Sequence, residues 1–433
     1  MKQAINIFWF RRDLRLEDNH GLYQALKSGK PVLPIFIFDD DILDKLPKDD
    51  ARVTFIHDSL KTMQISLKKH NSTIAVFKGK PETIFKQIIE DYTVKSVYTN
   101  HDYEPYAIAR DNTIKTLLNS KNIEFKTYKD QVIFERNEIV KKDGTPYRVY
   151  TPFSRIWIDT FKRKGITFYP SETLLDHTFK AERLPNLDLE TIGFTEAKIK
   201  VKPYTVTPQL IADYEATRNF PAQDNTSKIG PHLRFGTVSV RKMVNEANKQ
   251  SNITFLKELI WREFFTQILW HFPHTQIDAF KPKYDRIEWR NNETEFKAWC
   301  EGKTGYPLVD AGMRQLNQTG FMHNRVRMLI GSFLCKHLLI DWRWGEAYFA
   351  LKLNDYDMSS NVGNWQWVAG CGVDAAPYFR IFNPTTQIEK FDKKHQYIKQ
   401  WVPDYQELTY PTPIVDHKAA RERCLKVYKE AVA

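Results

Sequence analysis

Residues 355–384 read DYDMSSNVGNWQWVAGCGVDAAPYFRIFNP, the stretch of the chain richest in groups that could do chemistry. Asp355, Asp357, Asn361 and Asn364 are acids and amides, side chains that hydrogen-bond the edge of a polar ring. The glycines among them let backbone approach a flat ligand closely. Trp365 and Trp367 stack well and oxidise easily, and two residues apart on a helix they point to different sides. The set suits a redox cofactor held beside a platform for a second flat molecule. A plain aromatic core helix would have no use for four such polar side chains.

Other groups fall into register around it. Glu258, Trp261, Arg262 and Phe265 share one helix face. A carboxyl beside an indole and a guanidinium suits a pocket in which a base stacks and its edge is hydrogen-bonded; a surface Glu–Arg pair beside a half-buried Trp is the plainer alternative. Asn324, Arg327 and Met328 share another face, offering an amide edge and a soft, adaptable wall, although Met328 alone reads equally as core. Tyr214 and Arg218 stand one turn apart. Thr226, Ser227, Lys228, Ile229 and Gly230 precede a helical stretch. They could cap it, or present hydroxyl and backbone donors to a diphosphate.

The elements that must position these groups divide in two. Residues 5–10, 32–38, 73–77 and 96–99 are strand candidates, with 124–128 as a fifth. Ile56, Leu60, Met63 and Leu67, and then Ile84, Phe85, Ile88 and Ile89, recur between them at helical spacing. Alternating strands and helices predict an α/β domain over 1–130 built on a doubly wound parallel sheet. Its first strand is not followed by a Gly-rich phosphate loop, which argues against a standard dinucleotide site. Residues 131–205, broken by Pro146, Pro152, Pro170, Pro185 and Pro203, read as an irregular interdomain linker. Residues 206–433 read as an all-α domain, with helices over 256–272, 294–300, 311–316, 324–339 and 416–433.

With 433 residues, two or three domains are expected, and 42% hydrophobic residues is ordinary for a globular protein. The net charge of +11, spread almost evenly on either side of residue 205, fits a polyanionic partner without locating the face that meets it. Cys300, Cys335, Cys371 and Cys424 follow no metal-ligand spacing and read as reduced thiols. The apolar start is too short for a signal peptide, and no apolar run has membrane-spanning length. A monomer in the cytoplasm, or in the nucleus if the source has one, is the expectation.

Several long motifs, in order, resemble those of the DNA photolyase/cryptochrome family, most nearly its class I cyclobutane pyrimidine dimer photolyases. They are FWFRRDLRLEDNHGL near the N-terminus, DYEATRNFPAQDNTSKIGPHLRFGTVS at 213–239, KELIWREFFTQIL, KTGYPLVDAGMRQLNQTGFMHNRVRMLIGSFLCKHLLIDWRWGEAYF, and the stretch 355–384. The match is loose before residue 205 and close after it. It implies an N-terminal α/β antenna domain and a helical domain that binds a folded FAD. By resemblance Tyr214, Thr226, Ser227, Lys228, Ile229, Gly230, Arg327, Asp355, Tyr356, Asp357 and Asn361 hold FAD, with Arg327 paired to Asp355 and Asn361 facing flavin N5. Arg218, Glu258, Trp261, Arg262, Asn324, Arg325, Met328 and Trp367 meet damaged DNA, Glu258 bonding the dimer and Arg218 lying near phosphate. Trp365, Trp342 and Trp289 match the family's three-tryptophan electron chain.

The resemblance implies light-driven repair: a dimer is flipped out of UV-damaged DNA and receives one electron from excited, reduced FAD, with Glu258 and Asn361 as the catalytic side chains. An Asn at 361 favours repair over signalling, since receptors of the family often carry Cys or Asp there. Asn324, Met328 and a single His323 favour the cyclobutane lesion over the (6-4) photoproduct, whose enzymes carry a His pair. Tyr106 and Ala107 stand where folate-binding members have an Asn–Glu pair, so the antenna chromophore stays open between a deazaflavin, another flavin, a folate bound otherwise and none. The rival readings are a blue-light receptor of the same fold, disfavoured by the lack of a C-terminal extension past Ala433, and a basic helical nucleic-acid-binding protein without cofactor.

Overall fold

A computed structural model describes residues 3–181 and 183–433. The chain forms two compact units, and neither is a single run of sequence. One comprises 1–138, 159–203 and 229–249; the other comprises 139–158, 204–228 and 250–433.

The first unit is built on five parallel strands: β1 (Ala4–Phe10), β2 (Val32–Phe38), β3 (Ala75–Lys78), β4 (Thr93–Asn100) and β5 (Glu124–Tyr128). Their order is β3-β2-β1-β4-β5, a doubly wound sheet with β1 at its centre. Alternate residues of β1 feed separate cores. Phe8 and Phe10 join Leu22, Val53 and Leu60, whereas Ile7 and Trp9 join Phe85, Ile114 and Leu118. The helices that supply those residues are α1 (His20–Leu26), α2 (Ala51–Lys68), α3 (Pro81–Asp91) and α4 (Pro105–Ser120). Beyond the carboxyl ends of the strands, Arg12 reaches Asp102 and Glu104 at 3.1 and 2.8 Å, and Tyr106 Oη donates to Asp39 Oδ2 at 2.6 Å. Ala107, beside Tyr106, is buried.

Residues 131–205 are less irregular than their prolines predict. They contain α5 (Tyr150–Lys164) and a 3-10 turn, Ser171–His177. Pro152 sits in the first turn of α5, where no backbone N–H donor is needed. Phe153, Trp157 and Phe161 recur at four-residue spacing and are buried.

The second unit is helical. Its main elements are α6 (Pro208–Thr217), α7 (Thr254–His271), α8 (Pro307–Thr319), α9 (Asn324–Ser332), α10 (Trp342–Lys352), α11 (Met358–Ala369) and α12 (His417–Val432). The helix expected over 324–339 is α-helical only to Ser332 and continues as a π turn, Phe333–His337. One continuous core holds Trp299, Phe333, Trp342, Phe349, Trp365 and Tyr428. Two helices within the range expected to be the all-α domain, Gly230–Phe235 and Val240–Asn248, group with the sheet unit instead.

Candidate functional site

Close helix contacts in the second unit set up the site. The Cβ of any larger residue at 363 would collide with the ring of Phe265, so Gly363 lets α11 lie directly against α7. Gly345 does the same for α10 and Trp365. The acid–aromatic face of α7 thereby comes beside the helix that carries Asn361 and Trp367.

On α7, Trp261 and Glu258 are both half-buried. Trp261 is stacked by Tyr150, with ring centroids 3.6 Å apart and 6° between planes. Phe264 meets it edge-on at 5.6 Å, and Phe265 lies at 5.5 Å and 30°. Glu258 accepts from Arg218 Nη1 at 2.5 Å, so in this structure Arg218, expected near phosphate, is turned onto the carboxylate. The Arg218 guanidinium also lies 5.3 Å over the ring of Tyr214. Burial, and then the charge of Glu258, push the Tyr214 phenol up to about 12. Arg262 is half-buried beside Trp261.

The start of α9 carries the second set. His323 is its N-cap, and its Nδ1 accepts from the N–H of Arg325 at 3.2 Å. That bond leaves the proton on Nε2, which is buried and has no hydrogen-bond partner among the described residues. Burial, followed by the nearby charges of Lys228, Arg327 and Arg325, lowers His323 to about 4. Asn324 is exposed and Met328 half-buried. Arg325 donates to Asn219 Oδ1 at 2.5 Å and lies 4.5 Å over Phe391. Arg327 forks onto Asp355 at 3.1 and 2.9 Å and donates from Nε to the Met322 carbonyl at 2.7 Å.

Asp357 caps α11, accepting from Ser360 N at 3.1 Å and from the Ser359 hydroxyl at 2.5 Å. One turn in, the Asn361 amide donates to Glu346 Oε1 at 2.9 Å and to its carbonyl at 3.2 Å. Tyr356 Oη donates to the same carboxyl at 3.4 Å. Burial raises the Glu346 carboxyl above its ordinary range, and the bonds from Asn361 and Tyr356 counter that only in part. With its N–H bonds directed at Glu346, Asn361 has its carbonyl oxygen left to meet a ligand. Trp365 is buried between Phe349 and Trp299, at 4.9 and 6.2 Å, and Trp367 is half-buried. Trp342 is buried under the Arg343 guanidinium, and Trp289 meets Tyr428 edge-on at 6.0 Å.

Of the group 226–230, Ser227 is buried and its carbonyl accepts from Thr205 N at 2.8 Å. Lys228 adopts a left-handed conformation (φ 56°), pairs with Asp224 and lies 4.1 Å over Phe321. Ile229 and Gly230 open the short helix Gly230–Phe235 and belong to the sheet unit.

Comparison with known proteins bears on the whole chain. The family model for the FAD binding domain of DNA photolyase matches residues 255–409, and that for DNA photolyase matches 6–172. A deoxyribodipyrimidine photo-lyase of Agrobacterium fabrum is 38% identical over 99% of this chain and 98% of its own. The chain belongs to the DNA photolyase family. Among solved structures, a class III photolyase from Agrobacterium tumefaciens superposes with a TM-score of 0.84 at 34% identity, covering 100% of this chain and 98% of that one. An archaeal photolyase from Sulfolobus tokodaii, solved with two FAD molecules, gives 0.82 at 34%, covering 99% and 100%.

The residues of this photolyase-family chain fit the cofactor that its helical unit implies. A neutral His323 with a buried N–H lacking a partner among the described residues, set among Lys228, Arg325 and Arg327, is an electropositive site suited to an anionic diphosphate. Asn361 and the Arg327–Asp355 fork offer the acceptors and donors that a flavin ring edge needs. Sequence spacing does not find Tyr150, His323 Nε2 or Glu346. Only His323 carries a local sign, as the residue just before a helical run.

Proposed function

We propose that this protein repairs cyclobutane pyrimidine dimers in UV-damaged DNA under blue light. The reading is carried by the half-open Glu258–Trp261 face of α7, pressed against the Asn361–Trp367 helix in a chain of photolyase sequence throughout. Basic side chains bind DNA phosphate first, so affinity falls steeply with salt. A dimer stacks and pairs poorly, which lowers the cost of turning it out of the duplex. Trp261 and Trp367 offer it ring faces, and Asn324 and Met328 line the side. His323 is buried as a helix cap, so it is not the imidazole that (6-4) chemistry would need at this face.

Bound FAD supplies the light-driven electron. The protein holds and orients. Tyr214, Thr226, Ser227, Lys228, His323, Arg327, Asp355, Tyr356, Asp357 and Asn361 position the cofactor. Glu258 accepts a hydrogen bond from a ring N–H of the dimer and so orients it, once Arg218 exchanges the carboxylate for DNA phosphate. Trp365, Trp342 and Trp289 would carry electrons from the surface toward the cofactor. Cofactor and DNA both bind within 206–433, and the protein acts as a cytoplasmic monomer. None of the helices among the described residues is long and apolar enough to cross a membrane.

The test is direct. Reduced, FAD-reconstituted protein is mixed with a dimer-containing oligonucleotide and split between blue light and darkness. Thymine absorbance should recover in light alone. Lesion binding without recovery in light would move the reading to a blue-light receptor, and a protein that stays colourless after reconstitution would remove both.

A further inference from the structure

Tyr150 lies in a stretch that reads from sequence as a connection, yet it meets α7 at the centre of the site. Its ring covers one face of Trp261 at 3.6 Å, nearly parallel. Its hydroxyl donates at 2.8 Å to the carbonyl of Lys257, one turn before Trp261. Its backbone N–H donates to Asp374 Oδ2 at 3.0 Å. Phe264 closes against both rings edge-on, at 5.9 Å from Tyr150 and 5.6 Å from Trp261. Tyr150 is therefore fixed by its backbone, by its hydroxyl and across its ring, and is 8% exposed, while Trp261 stays half-buried.

One face of the indole is thus taken by Tyr150, with Phe264 edge-on and Phe265 tilted at 30° beside it, so a ligand stacks on the part of the indole turned away from Tyr150. A pyrimidine stacked there would complete a pile of three aromatic layers. Burial, and then the charge of Glu258, raise the Tyr150 phenol well above its ordinary value. An indole with a free back could tilt about its Cβ and accept normal bases as readily as a lesion. An indole held flat presents one plane at one depth.

We propose that Tyr150 is a positioning residue for lesion recognition: stacked behind Trp261, it fixes the plane on which an extruded pyrimidine dimer docks, and so sets the preference for damaged over intact DNA without touching DNA. This rests on the repair reading above. The experiment uses FAD-reconstituted parent, Tyr150→Phe, Tyr150→Leu and Tyr150→Ala in the dark. It measures dissociation constants for one duplex with and without a dimer, then splitting per bound dimer in light. Tyr150→Phe should keep the parent's damaged-to-intact ratio. Tyr150→Leu and Tyr150→Ala should lower it about tenfold, the worth of one aromatic pair, through weaker lesion binding alone and with splitting per bound dimer unchanged. Leu fills the space, so it decides the matter if the Ala variant does not fold. An unchanged ratio in Tyr150→Leu, or an equal loss on both duplexes, overturns the proposal. A parent with no preference for damaged DNA overturns the repair reading itself, and is told apart because no variant enters that comparison.

Discussion

Ion pairs in the two units sit in opposite environments at two places. In the sheet unit, Arg15, Arg241, Asp18 and Asp130 form a closed network: Arg15 and Arg241 reach Asp130 at 2.7 and 2.8 Å, and Arg241 reaches Asp18 at 2.9 Å. These side chains are 1–6% exposed. In the helical unit, Arg218–Glu258 is 24% and 32% exposed, and Arg327–Asp355 is 24% and 17%. A fully buried pair answers only to its partners, and breaking it leaves an uncompensated charge. A half-open pair can exchange a partner for a ligand at little cost to stability. The Arg15–Arg241–Asp130 network is structural, whereas the Arg218–Glu258 and Arg327–Asp355 pairs are open to exchange with a ligand.

Four variants and one control sharpen or break that contrast, from the largest effect down. Trp365 and Trp9 are both buried, yet only the first lies in the unit assigned to the cofactor. Trp365→Phe should abolish photoreduction of oxidised bound flavin while repair by pre-reduced protein continues, and Trp9→Phe should leave photoreduction intact. Equal photoreduction in Trp365→Phe and parent would end the electron-chain assignment. Next, Asp130→Asn should cost about 3–5 kcal/mol of stability, read by denaturant or thermal unfolding. Burial alone would raise Asp130, but Arg15 and Arg241 outweigh it and hold the carboxyl at about 2, below its ordinary 3.8. A depressed acid stabilises above its unfolded value. Its contribution is therefore complete above pH 3.8 and lost as pH falls through about 2, so the variant should show a flatter acid limb over that window.

Glu258→Ala should shift stability by no more than about 1 kcal/mol, yet slow dimer splitting on the order of tenfold to hundredfold, with DNA binding preserved. A quantum yield equal to the parent's would take Glu258 out of the chemistry. Smallest is His323→Asn, which keeps a helix-capping acceptor and removes the buried Nε2–H. FAD should dissociate about tenfold more readily, the scale of one hydrogen bond to a charged group, with little change in unfolding. Unaltered retention would leave His323 as a cap only.

Much of this was legible in the sequence, and the parts that were not share a cause. The strands announce themselves as short apolar runs, and the faces holding Glu258 with Trp261, or Asn324 with Met328, follow from helical spacing alone. Arg327 and Asp355 pair as the family resemblance implies. α5 was hidden because Pro152 reads as a breaker when its place in the first turn is unknown. The partners across the fold were hidden because no local spacing joins them: Tyr150 bonds a carbonyl 107 residues away, and Asn361 meets Glu346 from another helix. The interleaved units have the same origin, since no local spacing says which core Gly230–Phe235 and Val240–Asn248 join.

The central claim is that the helical unit receives a nucleotide pair pulled out of the duplex. It is tested most directly in the dark, with a fluorescent adenine analogue placed opposite the dimer and FAD-reconstituted protein titrated in. Extrusion unstacks the analogue, so its emission should rise with binding on the dimer-containing duplex alone and fall back as added salt releases the protein. Tight binding with no rise in emission would mean that the lesion stays in the helix, and that the Glu258–Trp261 face does not receive it.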